Sequence, residues 1–155
     1  MINLANEKLA IVVSETYPEI TGKMLETAKA HAALLGAEIV KVIHVPGCFD
    51  MPLAVKKLLQ KNSDKKTEDI GEVNCKCAVD GVVTLGAIIQ GDTDHDALIA
   101  YTVAAKISEL SLAFNKPVTL GISGPKMTEA QAVDRIDFFG KNAVEACVKL
   151  VQRLR

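Results

Sequence analysis

The chain is predicted to be an α/β protein in which a mostly parallel sheet is covered by helices on both faces. Three features predict this. Short apolar runs of strand length alternate with segments of helical period from end to end. The runs Leu9–Val13 and Val82–Leu85 are apolar throughout rather than alternating, as strands buried on both faces are. Residues that stop strands or start helices stand between the runs. A length of 155 residues suits one domain spanning the chain. The crossovers between parallel strands are expected to be right-handed.

Residues 1–7 are a short polar lead before the first strand, Leu9–Val13. Ser14–Pro18 is the turn after it, with Pro18 suited to a helix start because its missing N–H is not needed there. Ile20, Met24, Leu25, Ala28, Ala32 and Leu35 then recur with helical period until Gly36, a C-terminal stop. Glu38–Val45 is the second strand. Glu38, Lys41 and His44 interrupt its apolar positions, which points to a sheet edge. Pro46–Asp50 is another strand-to-helix turn. Asp50 can cap the helix carried by Leu53, Val55, Leu58 and Leu59, with Pro52 in its first turn.

The polar, charged stretch at 60–76 predicts an exposed loop, with an insert at about 62–76. The third strand is placed at 81–89. A long helix is placed at 94–114, with Leu98, Ile99, Val103, Ile107, Leu110 and Leu112 on its apolar stripe. Pro117 opens the fourth strand, Val118–Ser123, and Gly124-Pro125 breaks it. Thr128-Glu-Ala-Gln131 matches a capping box and starts another helix. Gly140 is expected to interrupt that helix, and Ala143, Val144, Ala146, Val148, Leu150 and Val151 carry the last one.

Composition narrows the function. Apolar residues make up 49% and the formal net charge is −1, a soluble globular balance with no electrostatic footprint for nucleic acid. No apolar run reaches membrane-spanning length and no signal-peptide core is visible, so no membrane partner is expected. Cys48, Cys75, Cys77 and Cys147 follow no secreted framework and read as reduced thiols in a cytoplasmic protein.

In a parallel sheet the turns at 14–18, 46–50, 90–95 and 123–128 fall on one rim, where such folds bind ligands. The densest of them is Gly86-Ala-Ile-Ile-Gln-Gly-Asp-Thr-Asp-His95. There a central strand hands over to a helix whose free N–H groups and partial positive charge suit an anion such as phosphate. His95 can move protons near neutral pH, or can be a surface residue at a helix start. Thr93 is an N-cap or a phosphate ligand. Asp92 and Asp94 oppose attraction of an anion by side-chain charge, which leaves that task to the backbone. Arg135 is a solvated mid-helix charge or a bidentate phosphate clamp. Phe49 and Asp50 offer an apolar contact and a hydroxyl-binding carboxylate, or a staple and a cap. Cys75-Lys-Cys77 lacks Cys-x-x-Cys spacing and a second pair, and His31 and His44 have no partner at ligand spacing, so no metal site is expected. The common nucleotide-loop and hydrolase motifs are absent.

Two ordered motifs now carry a resemblance. Val45-Pro-Gly-Cys-Phe-Asp-Met-Pro52 and Leu85-Gly-Ala-Ile-Ile-Gln-Gly-Asp-Thr-Asp-His95 resemble the signatures of the 6,7-dimethyl-8-ribityllumazine synthases. Lys116-Pro-Val-Thr-Leu-Gly-Ile-Ser123 matches that family's fourth strand. The similarity runs from about Leu9 to the C-terminus apart from the insert. Asp50, Asp92 and the Gly-Ile-Ser-Gly-Pro run are closest to the archaeal branch. The resemblance implies a flavodoxin-like, three-layer α/β/α sandwich with a four-stranded parallel sheet. It also implies condensation of 5-amino-6-(D-ribitylamino)uracil with 3,4-dihydroxy-2-butanone 4-phosphate, with loss of phosphate and no cofactor or metal.

Carried over by position, His95 would transfer protons, and Asp92, Thr93 and Arg135 would hold the phosphate. Cys48, Phe49 and Asp50 would line the ribityl site. Ala87, Ile88 and Ile89 would contact the pyrimidine. The resemblance further implies a homo-oligomer, pentameric and in some members stacked or closed into a sixty-subunit shell, with sites completed by a neighbour that supplies Arg135 and the position of Leu120. Four positions depart from the family. Thr16 stands where an aromatic is usual, with Tyr17 next to it, Leu120 replaces an aromatic, and Gln90 replaces an arginine. Lys141 stands in for a lysine of a Gly-Asn-Lys stretch. The alternatives are an archaeal riboflavin synthase paralogue, opposed by the His95 segment, and a lumazine- or flavin-binding shell protein without turnover. A flavodoxin-like carrier is opposed by the poor phosphate loop at Ser14–Pro18.

Overall fold

A computed structural model describes residues 6–60 and 78–155; the insert at about 62–76, with Cys75 and Cys77, lies outside the described residues. The elements run β1 (Lys8–Ser14), α1 (Pro18–Leu34), β2 (Glu38–Val45), a 3-10 turn (Cys48–Asp50), α2 (Met51–Gln60) and β3 (Gly81–Ala87). They continue with α3 (His95–Phe114), β4 (Val118–Ser123), α4 (Glu129–Asp134) and α5 (Ile136–Arg153). The four strands are parallel in the order β2-β1-β3-β4, so β2 is an edge strand, as its mixed polarity implies.

Alternation along the central strands builds two cores from one apolar run. Leu9, Ile11 and Val13 pack with Met24, Ala28, Val144 and Val148 from α1 and α5. Ala10 and Val12 pack with Val55, Leu59, Val103 and Ile107 from α2 and α3. Each large apolar side chain fully buried this way contributes about 1.5–3 kcal/mol. Polar groups inside are partnered: Thr84 Oγ1 donates to Thr119 O at 2.7 Å, and Thr119 Oγ1 donates to Ala143 O at 2.8 Å. At the opposite rim, the buried Glu7 carboxylate accepts from Gln152 Nε2 at 3.1 Å and lies 3.7 Å from Arg155.

Several boundaries differ from the sequence expectation, each for a physical reason. β3 ends at Ala87 rather than at 89, because Ile88 N is already bonded to Ser123 O and the chain turns along the end of β4. The helix after Thr128 breaks at Arg135, not at Gly140. Gly140 is buried inside α5, where an added Cβ would stand 3.0 Å from Met24 O of α1. A helical glycine costs only about 1 kcal/mol, so close packing of two helices outweighs its weak helix propensity.

Arg135 therefore lies at a helix junction rather than mid-helix. On α3 the buried face is Asp96, Ala100, Val103 and Ile107, whereas Leu98 and Leu112 of the expected stripe are exposed. α3 is apolar nearly all round, so periodicity could not select its inner face. It also meets the length and composition of a membrane span, contrary to expectation.

Candidate active site

Parallel strands place the exits of β1, β2 and β3 side by side, and a cavity of about 480 Å³ opens there. Four separated segments line it: Thr16 and Tyr17 after β1, Gly47–Phe49 after β2, Ala87–Ile89 with Gly91 after β3, and Thr93, His95, Asp96 and Ile99 at the start of α3. The β4 exit, 123–128, joins through backbone bonds to this rim, since Gln90 N donates to Met127 O at 2.9 Å.

Local chemistry sets each segment. Thr16 N donates to Ser14 Oγ at 3.2 Å and its hydroxyl donates to Pro46 O at 2.9 Å, which ties the β1 and β2 exits together. Tyr17 precedes Pro18 with φ 55 and ψ 62, a left-handed backbone uncommon for an aromatic residue. Such strain costs of order 1–3 kcal/mol and gathers at functional rims. Cys48 is buried, with its thiol pushed up to about 11 mainly by desolvation; Ser14 and the Ala87 backbone pull it partly back. It is a neutral wall of the cavity. Phe49 is exposed, with its ring at the mouth.

At the start of α3 the helix cap is Asp94, not Thr93, and Asp94 makes no side-chain cap bond. Thr93 Oγ1 instead accepts from His95 N at 3.3 Å. The hydroxyl proton of Thr93 therefore points away from that bond and can be donated to a ligand. His95 is exposed, and its ring has no hydrogen-bond partner among the described residues. The free N–H groups of this first turn face the same end of the cavity. No lysine or arginine lines the cavity among the described residues, so a bound phosphate would lack a cationic side chain other than protonated His95.

The remaining expected site residues do not line this cavity in a single chain. Asp50 Oδ2 accepts from Gly47 N at 3.0 Å, within the 3-10 turn rather than as the cap of α2. Asp92 is exposed beside Thr93. Leu120 is 52% exposed on β4, the other edge strand. Arg135 is exposed, with its guanidinium donating to Gln131 O at 3.3 Å, and Lys141 is exposed on α5. Conversely, Gly47, Gly91, Asp96 and Ile99 line the cavity without having been expected. Ile99 carried a usable signal, standing four residues after His95 and so on the same helix face. Asp96 did not, because an acid in a first helical turn normally reads as a complement to the helix dipole.

A parallel three-layer α/β fold with a proton-moving histidine and an anion-ready helix start on its carboxyl rim defines a flavodoxin-like enzyme of small molecules. The profile described as "6,7-dimethyl-8-ribityllumazine synthase" matches residues 6–155. A 6,7-dimethyl-8-ribityllumazine synthase of Methanococcus maripaludis (strain C5 / ATCC BAA-1333) is 49% identical over 148 residues, 96% of each chain. One of Saccharolobus islandicus (strain L.S.2.15 / Lassen #1) is 51% identical over 148 residues, 96% of this chain and 86% of the relative. Both relatives are archaeal, as the Asp50 and Asp92 positions suggested. The chain belongs to the 6,7-dimethyl-8-ribityllumazine synthase family, transferases of riboflavin biosynthesis.

Proposed function

We propose that this cavity condenses 5-amino-6-(D-ribitylamino)uracil with 3,4-dihydroxy-2-butanone 4-phosphate to give 6,7-dimethyl-8-ribityllumazine. The observation that carries the assignment of roles is the convergence of Tyr17, Cys48–Phe49, Ala87–Ile89 and Thr93–His95 on one cavity. The pyrimidine lies along Ala87, Ile88 and Ile89, whose backbone supplies polar contacts between apolar side chains. Tyr17, rather than Thr16, stacks on the ring. The ribityl chain runs toward Cys48, Phe49 and Asp50. The phosphate sits on the helix start, held by backbone N–H groups near Asp92 and by the Thr93 hydroxyl.

The substrate amine adds to the ketone and water leaves. Loss of phosphate then requires a proton to be taken from the carbon chain, and His95 is the group placed to take it and return it during ring closure. No cofactor is needed, because the carbon and nitrogen of the product come from the two substrates.

The active form is a homo-oligomer in which a neighbouring copy completes the site. Two observations support this. The cavity lacks a cationic side chain, and Arg135 and Lys141 are exposed elsewhere on the chain, free to serve a neighbour's phosphate. α3 is apolar enough to span a membrane, yet only 17% of that stretch is buried in the single chain; Leu98, Tyr101 and Leu112 are exposed along it. A helix that is apolar all round is stable when covered, and copies of the same chain are the occupant. Leu120, on the open edge of β4, would meet the neighbour's pyrimidine. A pentamer, alone, stacked or closed into a shell, follows from the family resemblance. A cytoplasmic location, supported by the free thiols Cys48 and Cys147, belongs to the same reading.

The test mixes purified protein with both substrates and follows the absorbance and fluorescence of the lumazine. Product must form faster than in the uncatalysed control, and His95→Ala must slow it at least severalfold without altering assembly. A wild-type rate equal to the control, with ligand still bound, would instead favour a binding shell. That alternative draws on Gln90 and Leu120, which replace a usual arginine and a usual aromatic.

A further inference from the structure

Asp96 lines the cavity beside His95 but has no part in the scheme above. A carboxylate in the first turn of a helix suits the positive end of the dipole and normally faces water. Asp96 is instead 5% exposed. A buried charge is costly unless hydrogen-bonded. Its partner is the backbone N–H of Lys126, which donates to Oδ2 at 2.9 Å. Lys126 has φ 57 and sits in the turn at 124–127 that follows β4. The same turn is joined to the exit of β3: Ile88 N donates to Ser123 O and Gln90 N donates to Met127 O, both at 2.9 Å. Gly124, with φ 112, packs so closely there that an added Cβ would stand 2.5 Å from Ile88 O. The cavity floor at 87–89 is thus fastened to the turn, and the turn is fastened to α3 through Asp96.

We propose that Asp96 is a positioning residue that holds the His95 end of the cavity in register with the Ala87–Ile89 floor. This rests on the synthase reading, in which the floor carries the pyrimidine and the helix start carries the phosphate. A condensation depends on how its two substrates meet, and a misplacement of about 1 Å can cost roughly a hundredfold in rate. A bond between one side chain and one backbone N–H sets that meeting here. The carboxylate serves as an acceptor, so a neutral acceptor of the same length can replace it.

Steady-state kinetics of the intact assembly, with a KM for each substrate and an unfolding midpoint, test this in Asp96→Asn, Asp96→Ala and Asp96→Glu. Asp96→Ala, which removes the acceptor, lowers kcat by roughly tenfold to a hundredfold with smaller changes in either KM. Asp96→Asn keeps an acceptor oxygen and stays within about threefold of wild type. Asp96→Glu keeps charge and acceptor on a longer stem, displaces the turn and also lowers kcat, which decides the matter should Asp96→Ala fail to fold. An unchanged kcat in Asp96→Ala or Asp96→Glu, with only the unfolding midpoint lowered, overturns the assignment. So does Asp96→Asn as slow as Asp96→Ala, because charge rather than position would then be at work. These results presuppose a competent wild type. A wild type that makes no product above the control overturns the synthase reading and this assignment together.

Discussion

Cys48 shows how a residue can border the cavity and take no part in its chemistry. The thiolate, not the thiol, is the nucleophile, and burial holds this thiol at about 11, far above neutral pH. Its value is shape: an added Cβ at Gly86 would stand 2.5 Å from the sulfur, so side chain and strand fill one space. Cys48→Ala is therefore expected to keep kcat/KM within about tenfold of wild type, since it removes packing and no reacting group. Steady-state kinetics check this, and a loss of a thousandfold would assign the sulfur a chemical role. Residues of this kind were legible in the sequence by position but not by role. His95 was legible because a histidine opening a helix after a buried strand is an uncommon arrangement. Asp96 was not, because its importance lies in a partner 30 residues away that no local pattern announces.

Among the elements, β2 and β4 were read to the residue, because each is a short apolar run bounded by turn residues. The stretch from 128 to the C-terminus was read less well. A glycine in a helical pattern looks like a break, yet Gly140 marks where α1 and α5 approach most closely. α1 and α5 are joined further by Thr27 Oγ1 donating to Asp137 Oδ1 at 3.0 Å and by His31 beside Glu145 at 3.4 Å. The Glu145 carboxyl is held below its usual range by the Lys149 hydrogen bond first and then by His31. Two effects compete in Gly140→Ala. The helix gains roughly 0.5–1 kcal/mol of propensity. Overpacking against the α1 backbone costs about 1–3 kcal/mol. The second is larger, because the nearest atom is a backbone carbonyl oxygen that cannot turn aside. Gly140→Ala is expected to lower the unfolding midpoint by a few degrees and the bulkier Gly140→Val by more, measured by calorimetry or urea titration. A raised midpoint in Gly140→Ala would mean that the interface yields freely.

At the scale of the whole molecule, the single chain holds a proton-transfer group and a helix start for phosphate, but its arginine and lysine candidates stand outside the cavity. This division could not be read from spacing, because a sequence does not say which copy a side chain serves. It makes a prediction that no single-chain site would satisfy. His95→Ala damages one side of a shared site and Arg135→Ala damages the other. Each variant alone is expected to be slow, with Arg135→Ala raising the KM for the phosphate substrate far more than that for the pyrimidine. When the two variants are dissociated, mixed in equal amounts and reassembled, some sites combine an intact His95 from one copy with an intact Arg135 from its neighbour. Random mixing restores about a quarter of the wild-type rate if each site draws one group from each of two copies. Separate reassembly of each variant restores nothing and serves as the control. If mixing gave only the mean of the two slow rates, His95 and Arg135 would have to act within one chain, or Arg135 would lie outside the site altogether. The KM of Arg135→Ala separates those two outcomes, since an arginine outside the site would leave both values unchanged.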